Sequence, residues 1–284
     1  MVNAMNWDFR DPSPADRAAY PILNELRNQN YYPKILELYI QQEAPDTTLT
    51  EIMVNYTVIF DGTATAKVVY YDSSDVGDDV AGIGLRTIKI LGVNEAGDNY
   101  QEITDDMDGT TGTATAEKFQ RLIAFKAMSA GTDFDAVGTV TLQDDAGGTN
   151  KHATIAAGDV GSISARLYMP DDWEGLMYYL RAALVTTSDA AALTANDGAM
   201  FRPIVHDAAA IAGVASDEAE VMMVTTESGP VEYWNLTPVI ASNGGANYIS
   251  LGHVTIDTDA NQIVSYKIIY VMWGTTNAMR RLPA

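Results

Sequence analysis

From about residue 50 onward the chain is a succession of short β-branched and aromatic runs, cut by Gly and Asp turns. This texture constrains the fold more than any other feature. Side chains that alternate with period two make a half-buried strand and fit no helix. Ile263, Ser265, Lys267, Ile269 and Val271 alternate with Val264, Tyr266, Ile268 and Tyr270, which predicts a strand over 263–273. Leu85, Thr87, Lys89 and Leu91 likewise alternate with Arg86, Ile88 and Ile90. Ile52 to Phe60 reads as a strand closed by Asp61-Gly62, with Thr65 to Tyr71 as its hairpin partner. Further strands are expected over 119–128, 138–142, 153–156, 162–169, 200–205, 220–226, 231–240 and 248–256. Asp108-Gly109, Ala130-Gly131 and Gly147-Gly148 mark turns between them. Many short strands at this spacing predict a mainly β fold, a jelly-roll-like β-sandwich.

Pro170 to Leu193 fits two templates. Trp173, Leu176, Met177, Leu180 and Leu184 share a helical face behind Asp171 or Asp172 as a cap, whereas Tyr178, Leu180 and Ala182 alternate as on a strand. The β character of the flanking chain favours the strand.

Residues 1–50 differ. Asp11-Pro-Ser-Pro14 predicts a helix start, with Ser13 as cap and Pro14 at the first helical position. Ile22, Leu23 and Leu26 recur at helical spacing, limited by Pro21. Tyr31-Tyr-Pro33 interrupts, and Ile35, Leu38 and Tyr39 suggest a short turn before Pro45. The expectation is an N-terminal arm over 1–50 with short helical pieces, packed on its own domain or reaching a neighbouring subunit. A β-sandwich domain over 51–284 follows, with room for two packed sub-sandwiches.

Charge sets the surroundings. The chain has 38 Asp and Glu against 17 Lys and Arg, a net charge of −21. Such a charge keeps particles apart and soluble at high ionic strength, where screening removes the self-repulsion. It points to a halophilic or marine setting and argues against direct nucleic-acid or anionic-membrane partners, which need Lys and Arg footprints. With 284 residues the chain buries a sizeable core without disulfides, and it has no cysteine. No secretion signal is expected in Met1 to Arg10, and no apolar run is long enough for a membrane span.

Motifs for chemistry are sparse. His152, His206 and His253 lack metal-ligand spacing, and His206-Asp207 is only a neighbouring pair. There is no nucleophile elbow or P-loop, and Gly82-Ile-Gly84 lacks the third glycine of a dinucleotide fingerprint. No catalytic residue and no cofactor is therefore assigned. Acids cluster at Asp75, Asp78 and Asp79, at Asp105, Asp106 and Asp108, at Asp133 and Asp135, and at Asp144 and Asp145. Solvated turns are the better reading, and calcium or magnesium stays open because such turns are oxygen-rich. Asn55-Tyr-Thr57 and Asn235-Leu-Thr237 match the glycosylation sequon but fall in expected strands. Trp234, Trp273, Tyr31 and Tyr32 suit a core, a sugar platform or an interface.

One succession is more specific. Gly82-Ile-Gly-Leu-Arg-Thr-Ile-Lys-Ile-Leu-Gly-Val-Asn94 is followed by Asn99-Tyr-Gln-Glu-Ile-Thr104, Gly109-Thr-Thr111, Phe119-Gln-Arg121, Ala130-Gly131 and Gly138-Thr-Val140. It resembles a group of mostly uncharacterised virion proteins of marine and other environmental viruses. Their pattern is an Arg-bearing strand, a Gly-Leu-Asp turn, an acidic strand ending in a Gly-Thr-Thr hairpin, and a strand with an aromatic and Arg. Here Gly92-Val-Asn94 stands at the turn, and an Asp-rich insert spans Asp105 to Asp108. The resemblance covers residues 80–142. It implies a β-rich component of a virus particle, located in the virion, with other copies and other virion proteins as partners. A receptor- or glycan-binding spike and a halophilic hydrolase are the competing expectations. A capsid fold with a long spine helix would place that helix at 170–193.

Overall fold

The computed structural model describes residues 5–45, 48–54, 66–143, 151–164, 166–185, 197–206, 222–225, 228–237, 239–241, 247–256 and 262–275. The chain is mainly β, in several antiparallel sheets consistent with a β-sandwich, with two short helices near the N-terminus. In order, β1 (Met5–Arg10), α1 (Pro14–Ala19), α2 (Pro21–Asn28) and β2 (Pro33–Ala44) lead to the short β3 (Thr50–Glu51) and β4 (Met53–Val54). Next come β5 (Lys67–Ser73), β6 (Leu85–Asn94), β7 (Tyr100–Asp106), β8 (Thr113–Ala130), β9 (Val140–Gln143), β10 (Lys151–Ile155) and β11 (Gly161–Ser164). Then follow β12 (Leu167–Tyr168), β13 (Trp173–Leu184), β14 (Gly198–His206), β15 (Met222–Thr225), β16 (Val231–Trp234), β17 (Ile240–Ala241), β18 (Tyr248–Thr255) and β19 (Gln262–Gly274).

Two compact units emerge: Met1–Asn6 with Met53–Ala165, and Trp7–Ile52 with Arg166–Ala284. Most of the expected arm thus belongs to the second unit.

The first unit is one eight-stranded sheet. Its path runs β10-β9-β5-β8-β11-β4, and β6 joins β8 to β7. The 18-residue β8 pairs with β5, β6 and β11 in turn. β6 supplies Leu85, Ile88 and Ile90 to a core with Tyr71, Phe119, Phe125 and Leu142. Each such buried side chain contributes about 1.5–3 kcal/mol. β5 pairs with β8 and β9; its expected hairpin partner lies largely outside the described residues.

The second unit has two sheets, β1-β2-β19-β13-β16 with β17 on β13, and β12-β18-β14-β15 with β3 on β18. They face each other: Tyr266 of β19 meets Phe201 of β14 and His253 of β18 with ring centroids 5.7 and 5.8 Å apart. Region 173–184 is a strand, paired along β19 from Trp173↔Gly274 to Leu184↔Val264. Ser13 and Asp16 form a reciprocal capping box, with Pro14 opening α1. Pro21 opens α2 rather than limiting a helix, because a proline at the first helical position loses no hydrogen bond.

Residues 33–44 correct the expectation of a short turn. They form a strand paired with β19 from Pro33↔Trp273 to Ala44↔Gln262. Here α2 lays Leu23 and Leu26 over Ile35, Ile269 and Val271, while Leu36, Leu38 and Ile40 are buried on the opposite face of the strand. Leu36, Leu38 and Ile40 do alternate with Glu37, Tyr39 and Gln41, but Ile35, Leu38 and Tyr39 also fit the spacing of a helical turn.

Candidate functional site

Three of the four acid clusters meet in the first unit. The turns carrying Asp75 to Asp79, Asp105 to Asp108 and Asp133 to Asp135 are joined by backbone hydrogen bonds. Val80 N–H donates to Met107 O (3.1 Å), Gly109 N–H to Asp78 O (2.9 Å) and Asp133 N–H to Ile83 O (3.0 Å). Asp144 and Asp145 lie outside the described residues.

Asp78 is the hub. It is fully buried and its carboxylate meets four donors. Oδ1 accepts from the N–H groups of Leu85 (2.8 Å) and Val137 (3.0 Å), and Oδ2 from Gly138 N–H (2.9 Å) and Ser73 Oγ (2.6 Å). A buried carboxylate is costly unless so satisfied. The turns close tightly on it. A Cβ on Gly84 would lie 2.1 Å from Asp78 Oδ1, and one on Gly131 2.5 Å from the Gly82 and Ile83 carbonyl oxygens. Gly84 and Gly131 are therefore required by close approach at these turns.

Asp75 and Asp79 are engaged by their own turns. Asp75 Oδ1 accepts from Gly77 N–H (2.7 Å) and Asp79 Oδ1 from Ala81 N–H (2.9 Å), so each shapes its own turn. Among the described residues no group of three or more His, Asp or Glu is placed to hold a metal ion. Burial, with Glu117 and Asp106 nearby, raises the Asp105 carboxyl above its usual range despite the Tyr71 hydroxyl.

The outside of the cluster mixes exposed apolar side chains with the exposed carboxylates of Asp106, Asp108 and Asp133. Val76, Val80, Ile83 and Phe134 are 73, 53, 51 and 79% exposed. Phe134 holds a left-handed φ of 64°, which costs an aromatic residue about 1–2 kcal/mol. Sequence reasoning missed this crown: Val76, Val80 and Ile83 share the connection between β5 and β6, and only the long-range Asp133–Ile83 backbone bond brings the turn of Phe134 beside it.

The remaining candidates are dispersed. His152 is buried at a bulge in β10, His206 ends β14, and His253 is buried in β18. Trp273 is a core residue donating to Glu174 Oε2 (2.9 Å), with Tyr31 against it and Tyr32 half-buried. Trp234 is half-exposed, with Tyr179, Tyr178 and Tyr20 at 4.6, 5.7 and 6.2 Å. Asn235 follows β16 at φ 53°, and Asn55 lies outside the described residues.

On the same sheet Glu37 receives hydrogen bonds from Lys267 Nζ (2.6 Å), Arg10 Nη2 (3.0 Å) and the Tyr39 hydroxyl. Arg10 also pairs with Asp16 and Asp8. Burial alone would raise the Glu37 carboxyl, but Lys267 and Tyr39 outweigh it and hold the carboxyl below its usual range. Burial and then Glu232 push the Tyr179 hydroxyl up to about 12.

No known protein family matches the sequence, and no curated protein matches it. Among solved structures, the chain is similar to the infectious bursal disease virus VP2 subviral particle at 11% identity and a TM-score of 0.21. That alignment covers 81% of this chain and 60% of the other, so the chain spans less than two thirds of it. The structure of the infectious bursal disease virus Gt strain aligns at 9% identity and a TM-score of 0.16, over 99% of this chain and 75% of that one. At these scores neither likeness carries weight for fold or function.

Proposed function

We propose that this chain is a structural component of a virus particle, acting by self-association in a high-salt or marine setting rather than by catalysis. The observation that carries the proposal is the apolar crown of Val76, Val80, Ile83 and Phe134 on turns locked by Asp78. Large apolar side chains exposed on backbone held this tightly suit association between copies. Most of the crown lies in the segment that resembles virion proteins. The net charge of −21 opposes association of copies at low salt, and screening removes that opposition. Capsid, turret, decoration and tail roles all fit this reading, and the most acidic faces point away from any enclosed genome.

Phe134→Gly tests it. Glycine takes φ 64° freely, so the variant monomer gains about 1 kcal/mol of stability while losing the most exposed ring of the crown. Sedimentation in high salt should show a more stable but less associated protein. Unchanged association of Phe134→Gly combined with Ile83→Ser sinks the proposal.

A receptor- or glycan-binding spike is the second reading, favoured by Trp234 standing half-exposed among three tyrosines. A glycan array whose signal disappears with Trp234→Ala would support it. A hydrolase has no observation in its favour, and turnover in broad hydrolase assays at high salt would reinstate it.

A further inference from the structure

The outward face of β5, β9 and β10 holds a cavity of about 360 Å³, open to solvent and lined by Asp72, Ser73, Ser74, Thr139, Thr141, Gln143 and Lys151. Three registers build it. Tyr70, Gln143 and Lys151 are cross-strand neighbours, as are Asp72, Thr141 and Thr154, while Ser74 N–H donates to Thr139 O. The floor is polar and deep: Gln143 is 2% exposed, Ser73 4% and Thr141 6%. Ser74, Thr139 and Lys151 form the exposed rim.

This lining is pre-organised. Gln143 Nε2 donates to Asp72 Oδ2 (3.0 Å), which fixes both planar groups and uses one of the amide's two N–H bonds. Ser74 Oγ accepts from Thr139 N–H (2.9 Å), which orients that hydroxyl with its own proton left to donate. Ser73 is held by its bond to Asp78, so the turn hub braces one wall.

The chemistry of the walls selects the ligand. Among the described residues every lining side chain carries a polar group, which disfavours purely apolar molecules. Among the described lining residues one ammonium and one carboxylate balance, and Asp75, Asp78 and Asp79 lie within a few residues of the wall, which disfavours anions. A lone carboxylate already sharing an amide is a poor cation site. Hydroxyls, a carboxamide, a carboxylate and an ammonium together offer donors and acceptors in several directions, and the volume falls at the small end of ligand pockets. We propose that this cavity binds a neutral polyhydroxylated ligand, a monosaccharide or the terminal sugar of a glycan. This goes beyond the self-association proposed above and does not depend on it.

The test is saturation-transfer NMR of the full chain with a panel of neutral hexoses and 6-deoxyhexoses, alongside sialic acid and glycine betaine as charged controls. At least one neutral sugar should show transfer. Asp72→Asn, Thr141→Val and Thr139→Ala should each weaken its affinity, the first two by about tenfold. Thr139 lies on the exposed rim, so its truncation leaves the fold intact and reports on binding alone. Trp234→Ala should change nothing. Transfer to no neutral sugar, or only to the charged controls, overturns the proposal. So does neutral-sugar binding that survives Thr139→Ala and Thr141→Val, or that disappears with Trp234→Ala.

Discussion

In the first unit Asp78 is fully buried and meets three backbone N–H groups and one hydroxyl. In the second, Glu37 sits among Lys267, Arg10 and the Tyr39 hydroxyl on a sheet face where the Lys267 and Arg10 side chains are each 29% exposed. Both carboxylates are saturated, but by different means. Backbone donors are dipoles that carry no net charge, so dissolved ions do little to the Asp78 hub, and holding them fixes the path of the main chain. Ion pairs fix only side chains, are screened by salt and contribute little each when partly exposed. The device that ignores salt lies beneath the proposed association surface. The device that salt weakens lies in a sheet already secured by the long β2–β19 pairing.

Four substitutions separate the two devices. The largest effect is expected from Asp78→Ala, which strands its donors and should cost the first unit about 4 kcal/mol by denaturant unfolding, at low and multimolar salt alike. A loss under about 1 kcal/mol would break the comparison.

His253 sharpens it through pH. The ring is buried with Nε2 unpartnered and Nδ1 3.3 Å from the Tyr266 hydroxyl. Burial lowers its pKa from 6.5 to about 4. The unfolded chain therefore takes up a proton near pH 6.5 and the folded chain only near pH 4. Stability of the second unit is complete above pH 6.5 and falls by about 3 kcal/mol as pH drops to 4. His253→Leu should flatten that slope in pH-dependent melts, and an unchanged slope would assign it to other groups.

Gly84→Ala pushes a methyl onto Asp78 Oδ1 and should cost about 2 kcal/mol in the first unit only. Thermal unfolding of the variant reads this directly. Glu37→Gln is expected to cost about 1 kcal/mol at low salt and nearly nothing at multimolar salt. Equal loss at both salts would mean that Glu37 behaves like Asp78.

Local signals were legible where period-two alternation ran without a competing helical spacing. The alternation in 85–91 and 263–273 located β6 and β19, and Ser13-Pro14 located α1. The mainly β class followed from these. β2 was misread because Ile35, Leu38 and Tyr39 also fit helical spacing, although Leu36, Leu38 and Ile40 alternate as on a strand. The expected strand over 231–240 is two short strands, β16 and β17, both paired with β13 and separated where Asn235 turns to positive φ. Asp78 was named among the acids, but nothing local distinguishes it from Asp75 or Asp79. Two of its donors, Val137 and Gly138, are about sixty residues away and arrive only when β9 pairs with β5. Phe134 likewise reaches the turn of Ile83 only through the long-range Asp133–Ile83 backbone bond.

Light scattering of the purified protein from low to multimolar salt tests the central claim most directly. The account predicts a monomer at low salt and a discrete oligomer or particle as screening rises, reduced by Phe134→Gly. A monomer at every salt concentration would contradict it.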